Sequence, residues 1–146
     1  MTWRAKVLQI AGRLAHSMVD DRFKVAPPGL HMPHLAWFGV YCRIDPGTAF
    51  WNPLEQPKLD AIELELIALC DQFAGGQAAY LHRLDTRGLR EYYVYCGHAA
   101  HLEEVLPRLR ASHPDYRLEY DITVDADWAH YRTALAQLDE EVGTDE

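Results

Sequence analysis

The chain has no apolar run approaching the ~18–20 residues that a membrane-spanning helix needs. Its opening, Met1-Thr2-Trp3-Arg4-Ala5-Lys6-Val7-Leu8, is soon interrupted by Gly12, Arg13 and His16. It lacks the uninterrupted core and small-residue cleavage site of a secretory leader. A cytoplasmic protein without membrane contact is the expectation. Cysteine is scarce: Cys42, Cys70 and Cys96 are an odd three, and no two share a CxxC spacing. Each falls within an expected strand or helix, which suits small buried thiols in a reducing compartment. Positive charge is also short, with 14 Lys and Arg against 22 Asp and Glu and a net charge of -8. A surface of that sign repels phosphate backbones, so nucleic acid is not an expected partner. Neither a catalytic signature nor the glycine-aromatic signature of an RNA-recognition module is present.

What is present suits one globular domain. The 146 residues are 49% hydrophobic, enough to bury a sizeable core. Charge is unevenly spread: Arg4, Lys6, Arg13, Arg22, Lys24 and Arg43 lie early, while Asp139, Glu140, Glu141, Asp145 and Glu146 crowd the end. Residues 1–30 read as an N-terminal addition packed on the core, 31–138 as the folded domain, and 139–146 as an acidic, solvated tail. In the addition, Val7, Leu8, Ile10, Ala11 and Leu14 could form one face of a short helix, and Leu8-Gln9-Ile10 could equally begin a strand. Asp20-Asp21 reads as a turn and Arg22 to Val25 as a short edge strand. Ala26-Pro27-Pro28-Gly29 reads as a break, because adjacent prolines remove donors and fix φ.

Beyond residue 30 the periodicities are clearer. Leu35 to Ile44 reads as a central strand, apolar on both faces, ended by Asp45-Pro46-Gly47. A helix over 57–73 presents Leu59, Ile62, Leu66, Leu69 and Phe73 on one side and stops at Gly75-Gly76. Glu63 and Glu65 fall on its solvated side. Strands over 77–84 and 89–96 join through Asp85-Thr86-Arg87-Gly88, where Gly88 supplies a left-handed residue. Tyr92, Val94 and Cys96 face the core; Tyr80, Tyr93 and Tyr95 crowd the other face with His82. A helix over 99–112 requires a kink or a restart near Pro107. Alternation from Tyr116 to Val124 gives a last strand, and Asp127 is the expected N-cap of a final helix. The order predicts an α+β, ferredoxin-like (split βαβ) fold: a four-stranded antiparallel sheet with two helices on one face, plus the N-terminal addition and a short C-terminal helix.

Four pieces of sequence carry a resemblance. They are Arg83-Leu84-Asp85-Thr86-Arg87-Gly88 with Arg90-Glu91-Tyr92-Tyr93-Val94-Tyr95; His113-Pro114-Asp115-Tyr116-Arg117; Asp125-Ala126-Asp127-Trp128; and Tyr131. Through them, roughly Leu35 to Tyr131 resembles the bacterial domain-of-unknown-function family numbered 695, whose pattern often has proline at the position of Ala126. The first thirty residues match nothing placed. The resemblance implies a fold and no catalytic residue. That family is in turn distantly similar to the ribonuclease E inhibitor family, which acts by binding an enzyme; for this chain the similarity implies a binding role and names no partner.

The functional expectation is a non-catalytic, protein-binding or regulatory module. Phe50, Trp51, Arg87, Tyr93 and Tyr95 are its candidate contact residues, although Phe50 and Trp51 read first as loop aromatics folded back on the core and only second as an exposed contact, and a homodimer is a further option. The alternative is a small-molecule-binding protein or enzyme with a pocket between the sheet and the N-terminal segment, near Arg83, His82 or Cys42. Cys96, His98 and His101 make the best metal-like cluster but fall short of a ligand set, so neither metal nor cofactor is expected. Arg83, Arg87 and Arg90 cluster at the hairpin and could clamp a carboxylate or phosphate, but read first as surface charges paired with Asp85 and Glu91.

Overall fold

The computed structural model describes residues 3–24 and 31–140. β1 (Trp3–Ile10) and β2 (Arg13–Asp20) form a hairpin. β3 (His34–Tyr41), α1 (Gln56–Ala74), β4 (Ala78–Thr86), β5 (Leu89–Cys96), α2 (Val105–Ser112), β6 (Leu118–Val124) and α3 (Ala129–Asp139) follow. All pairings are antiparallel, in the order β1-β2-β4-β5-β3-β6. The expected four-stranded sheet is therefore corrected to six strands, because residues 3–20 form its outer hairpin. The short-helix reading fails, and Leu8-Gln9-Ile10 do lie in a strand but end it rather than begin it. Ala11 and Gly12 both take positive φ, 53° and 79°, the primed turn that reverses a strand pair. Arg22 to Lys24 make a turn rather than an edge strand, with Lys24 N–H donating to Asp21 O at 2.9 Å. Val25, the proline-rich break and the tail from 141 lie outside the described residues.

The helices divide between the two faces. α1 and α2 cover Phe38, Val40, Tyr92 and Val94 with Leu59, Ile62, Leu66 and Leu109. On the opposite face Trp128, Tyr131, Ala134 and Leu138 pack over Val19, Leu35, Leu81 and Tyr95. Gly75, at φ 58°, closes α1. The Pro107 expectation resolves as a restart: a short 3-10 turn spans Ala99–Leu102, and α2 begins at Val105. Pro107 thus sits in the first turn, where its missing N–H costs no intrahelical bond.

A β-bulge between Tyr80 and His82 shifts the β4 register against β5. Before it, Ala78 and Tyr80 pack toward α1; beyond it, Arg83 and Asp85 do so, while Leu81 and His82 both face α3. One extra residue reverses the side-chain parity of the rest of the strand. This overturns the expected placement of Tyr80 beside Tyr93 and Tyr95. Tyr80 meets Tyr92 on the α1 face instead, with ring centroids 5.8 Å apart.

α3 is anchored by polar contacts at both ends. The expected cap, Asp127, is exposed, and Asp125 does the capping: its oxygens accept Ala129 N–H at 2.9 Å and His130 N–H at 3.1 Å. Tyr95 O–H donates to the same carboxylate at 2.6 Å. Trp128 enters the helix at φ 56°, a costly backbone for a bulky residue. Its indole is fully buried, stacks on Tyr95 at 4.3 Å and donates to Met32 O at 2.8 Å. At the other end Lys6 Nζ donates to Gln137 O and Leu138 O, placing a cation on the helix C-terminus.

Under α3, Ser17 Oγ lies 2.9 Å from His82 Nε2, and His82 Nδ1 lies 2.8 Å from His130 Nε2. Tyr93 stacks on both rings. Burial pulls the His82 imidazole down to about 3. It lowers His130 too, against the opposing pull of Asp125. The unfolded His82 titrates near ~6.5, so below that pH the unfolded chain binds a proton that the folded one does not. The stabilisation is complete above ~6.5 and is lost as pH falls toward about 3. Unfolding free energy is expected to drop by up to about 1.4 kcal/mol per pH unit across that window on account of His82. Urea unfolding at a series of pH values should show a shallower slope for His82→Gln than for the wild type. Parallel slopes would rule out the buried ring as the source.

Candidate functional site

The residues singled out from sequence do not assemble in one place. Phe50, Arg87 and Cys42 line a common cleft. Trp51 and Tyr95 are buried, at 8% and 1% exposure, so neither presents a contact surface. Tyr93 lies half-buried over His82 and His130 on the α3 face. His82 is on that face as well, and the sheet separates it from Arg83 and Cys42. Cys96 donates its thiol to His98 O at 3.4 Å, and the His98 and His101 rings stand edge to face at 5.1 Å. Among the described residues no three His, Cys, Asp or Glu side chains converge as metal ligands. Burial pushes the Cys70 thiol up to about 12 and that of Cys96 to about 11.

The cleft encloses about 750 Å³. β2 supplies Arg13 and Leu14, the loop after β3 supplies Cys42, Pro46 and Phe50, and the β4–β5 turn supplies Arg87. Backbone bonds fix these walls together: Cys42 N–H donates to Gly88 O at 2.9 Å, and Gly88 N–H donates to Phe50 O at 2.8 Å. Gly88 has φ 78°, and a Cβ there would come within 2.9 Å of Cys42 Sγ. Asp45 turns the loop by accepting Gly47 N–H at 2.9 Å. The buried Glu55 carboxylate pins its other side, accepting from Arg43 N–H, Ile44 N–H and the Tyr116 hydroxyl at 3.1, 3.1 and 2.8 Å.

Behind Phe50 lies a box of charges on the α1 face of the sheet. Arg90 Nε donates to Asp85 Oδ1 at 2.6 Å, and Trp51 Nε1 donates to the same oxygen at 3.1 Å. Arg83 Nη1 donates to Glu63 Oε1 at 2.8 Å, and Tyr80 O–H donates to Glu63 Oε2 at 3.1 Å. Arg83 Nε approaches Asp85 Oδ2 at 3.4 Å, and His16 Nδ1 lies 3.8 Å from that oxygen with its ring 6.2 Å from Phe50. Burial acts to lower the Arg90 pKa, but Asp85 and Tyr92 more than offset it, so the guanidinium stays charged.

Arg83 and Arg90 are thus interior ion pairs rather than surface charges. Glu63, read as part of a solvated helix face, is their second counter-ion. No helical pattern signals this, because its partners come from the strand whose parity the bulge reverses. The expected pairing with Asp85 holds for Arg83 and Arg90, whereas Arg87 is the surface charge of the three and lies 3.9 Å from the exposed Asp45 instead.

Asp85→Leu or Arg90→Met alone is expected to cost about 3–5 kcal/mol, since each leaves an uncompensated charge in the interior. The double variant should recover most of that loss in urea unfolding, and additive losses would show that the two groups act separately.

A family model described as a family of unknown function, DUF695, matches residues 1–136. No curated protein and no solved structure matches the chain. The family match takes in the β1–β2 hairpin as well as the part that carried the sequence resemblance, and the chain belongs to DUF695, a family of unknown function.

Proposed function

We propose that this protein binds a small anionic molecule with an apolar body in the cleft between β2, the loop after β3 and the β4–β5 turn. The observation that carries this reading is a pair of under-neutralised guanidinium groups beside apolar walls. Arg13 has no ion-pair partner among the described residues, and Arg87 has only the distant, exposed Asp45. Leu14 is 57% exposed at the same rim, and Phe50 and Pro46 supply further apolar surface. The volume falls within the ~300–1,000 Å³ typical of small-molecule sites. In a chain of net charge -8, two arginines at one mouth favour an anion that the remaining surface repels.

The strand order β4-β5-β3-β6, with α1 and α2 in the connections, supports reading that part as a split βαβ unit of ferredoxin-like kind. The added hairpin then forms one wall of the cleft. A protein-contact surface has less support, because Trp51 and Tyr95 lie inside the fold.

Anilinonaphthalene sulfonate, an anionic apolar dye, serves as a probe. Its fluorescence with the folded protein should saturate at one dye per chain, and Arg13→Ala/Arg87→Ala should weaken binding by about tenfold or more with an unchanged unfolding curve. The uncharged analogue phenylnaphthylamine should bind more weakly than the sulfonate. Equal binding of dye and analogue, or indifference to the double substitution, would sink the proposal.

A further inference from the structure

The sheet face under α3 is only partly covered. α3 and its approach pack on Leu35 of β3 and Tyr95 of β5, whereas Trp37, two residues further along β3, belongs to neither apolar core and is half-buried. Register sets what surrounds it. Tyr93 of β5 and Asp121 of β6 lie directly opposite Trp37, and Glu91 and Glu119 lie opposite Gly39 on the same two strands. Residues opposed across a ladder share a face, so three carboxylates flank the indole. Gly39 gives the ring its place. A Cβ there would come within 2.6 Å of two atoms of the six-membered ring, so the indole lies over bare backbone. Its Nε1 donates to Glu91 Oε1 at 2.8 Å, and Tyr93 O–H donates to the same oxygen at 3.3 Å.

One end of this face already holds a cation in a defined way. Arg117 lies over the Tyr41 ring, 4.1 Å from its centroid, and its guanidinium donates to Glu119 Oε2 at 2.7 and 3.0 Å. Tyr41 O–H donates to Glu119 Oε1 at 3.0 Å. A guanidinium thus rests on an aromatic ring with a carboxylate at its edge, and the ring's own polar group holds that carboxylate. Trp37 repeats the plan: its Nε1 holds Glu91 as the Tyr41 hydroxyl holds Glu119, and Asp121 stands across the ladder. Among the described residues, no Lys or Arg lies over the Trp37 ring. Neither Glu91 nor Asp121 has an ion-pair partner there. Glu91 is half-buried, so its charge is less screened than one in open water. An indole face beside it attracts a cation through the ring quadrupole as well.

We infer that the Trp37 platform binds an arginine side chain of a partner polypeptide. The planar guanidinium stacks on the indole and donates at its edge to Glu91 and Asp121; an ammonium has neither the plane nor the fork. Charge sets the occupant apart from this chain itself. Residues 141–146 bring Glu141, Asp145 and Glu146, and a second copy carries the same net charge of -8, which opposes self-association. β6 is the last strand of the sheet, so an incoming peptide meets Asp121 from an open edge. Tyr93, one of the contact residues expected from sequence, borders the platform. No residue is shared with the anion cleft, and this inference does not rest on that reading.

The probe is a five-residue glycine–serine peptide with one central arginine, blocked at both ends; its citrulline and lysine versions are the controls. It is titrated into the full-length protein and followed by nuclear magnetic resonance of the indole N–H signals, with that of Trp37 identified by its loss in Trp37→Leu. The arginine peptide should shift the Trp37 signal saturably. Citrulline, of the same shape without the charge, should bind at least about tenfold more weakly, and lysine about threefold more weakly. Asp121 is exposed, so Asp121→Asn should fold as the wild type does and weaken arginine binding about threefold or more. Asp60→Asn makes an equal charge change on the exposed side of α1 and should leave binding unchanged. Absence of a saturable Trp37 shift, equal binding of the citrulline peptide, or equal weakening by Asp60→Asn and Asp121→Asn would overturn the assignment, the last by showing a general attraction to an acidic protein. Dimerisation in sedimentation that Trp37→Leu abolishes, without arginine-peptide binding, would give the platform to a second copy and overturn it too.

Discussion

The bond from Arg90 Nε to Asp85 Oδ1, 2.6 Å long, is where three segments of this molecule meet on one carboxylate oxygen. It ties β5 to β4 beside their turn, and the same carboxylate oxygen receives the Trp51 indole, which draws in the long connection between β3 and α1. That connection has little regular structure of its own. Its path is set by Asp85 through Trp51, by Gly88 through two backbone bonds, and by Glu55. An ion pair in such a place is weak evidence of net stability, since desolvation offsets much of the attraction. Its value lies in direction: a guanidinium and an indole must approach one oxygen along defined lines, and an apolar substitute would not dictate where the loop runs.

Much of the central fold was legible because covered elements advertise themselves. α1 shows its buried stripe at Leu59, Ile62, Leu66 and Leu69, and β3 is apolar on both faces because helices lie on both. The outer hairpin is less readable. On β1, the side chains directed to α3 include Arg4 and Lys6, which pair with Asp139 and with helix carbonyls, so polar residues occupy an inward face. The turn is Ala11-Gly12, without the Asn or Asp that usually marks a reversal of this kind. At the candidate site, Phe50, Arg87 and Cys42 were singled out for different roles and share a cleft, while Trp51 follows the reading that folds the loop back on the core, with its indole on a buried acceptor. Glu63 was invisible for a geometric reason: alternation cannot show that Arg83 and Asp85 share the α1 face when a bulge intervenes.

The sequence pieces that resemble the family supply both core residues, such as Tyr92, Val94, Trp128 and Tyr131, and the polar clusters beside them. Arg83, Asp85, Arg90 and Tyr92 form or line the charge box; Tyr116 reaches Glu55 and His113 reaches Glu65; Asp125, Trp128 and Tyr131 seat α3 on the other face. Each cluster joins segments distant in sequence through groups with directional demands.

The bulge between Tyr80 and His82 has a consequence for folding. A strand of uniform alternation can slide along its neighbour by two residues and still present the same face, so misaligned hairpins compete with the native one. In β4 the two halves have opposite parity, and only one alignment puts Tyr80, Arg83 and Asp85 opposite their counterparts on β5 while Leu81 and His82 face α3. Any slip would carry a charge into one apolar layer or strip a counter-ion from the other. The irregularity therefore acts as a ratchet pawl on strand pairing: it admits a single registration of β4 with β5, and through Asp85 it transmits that choice to the loop that walls the cleft.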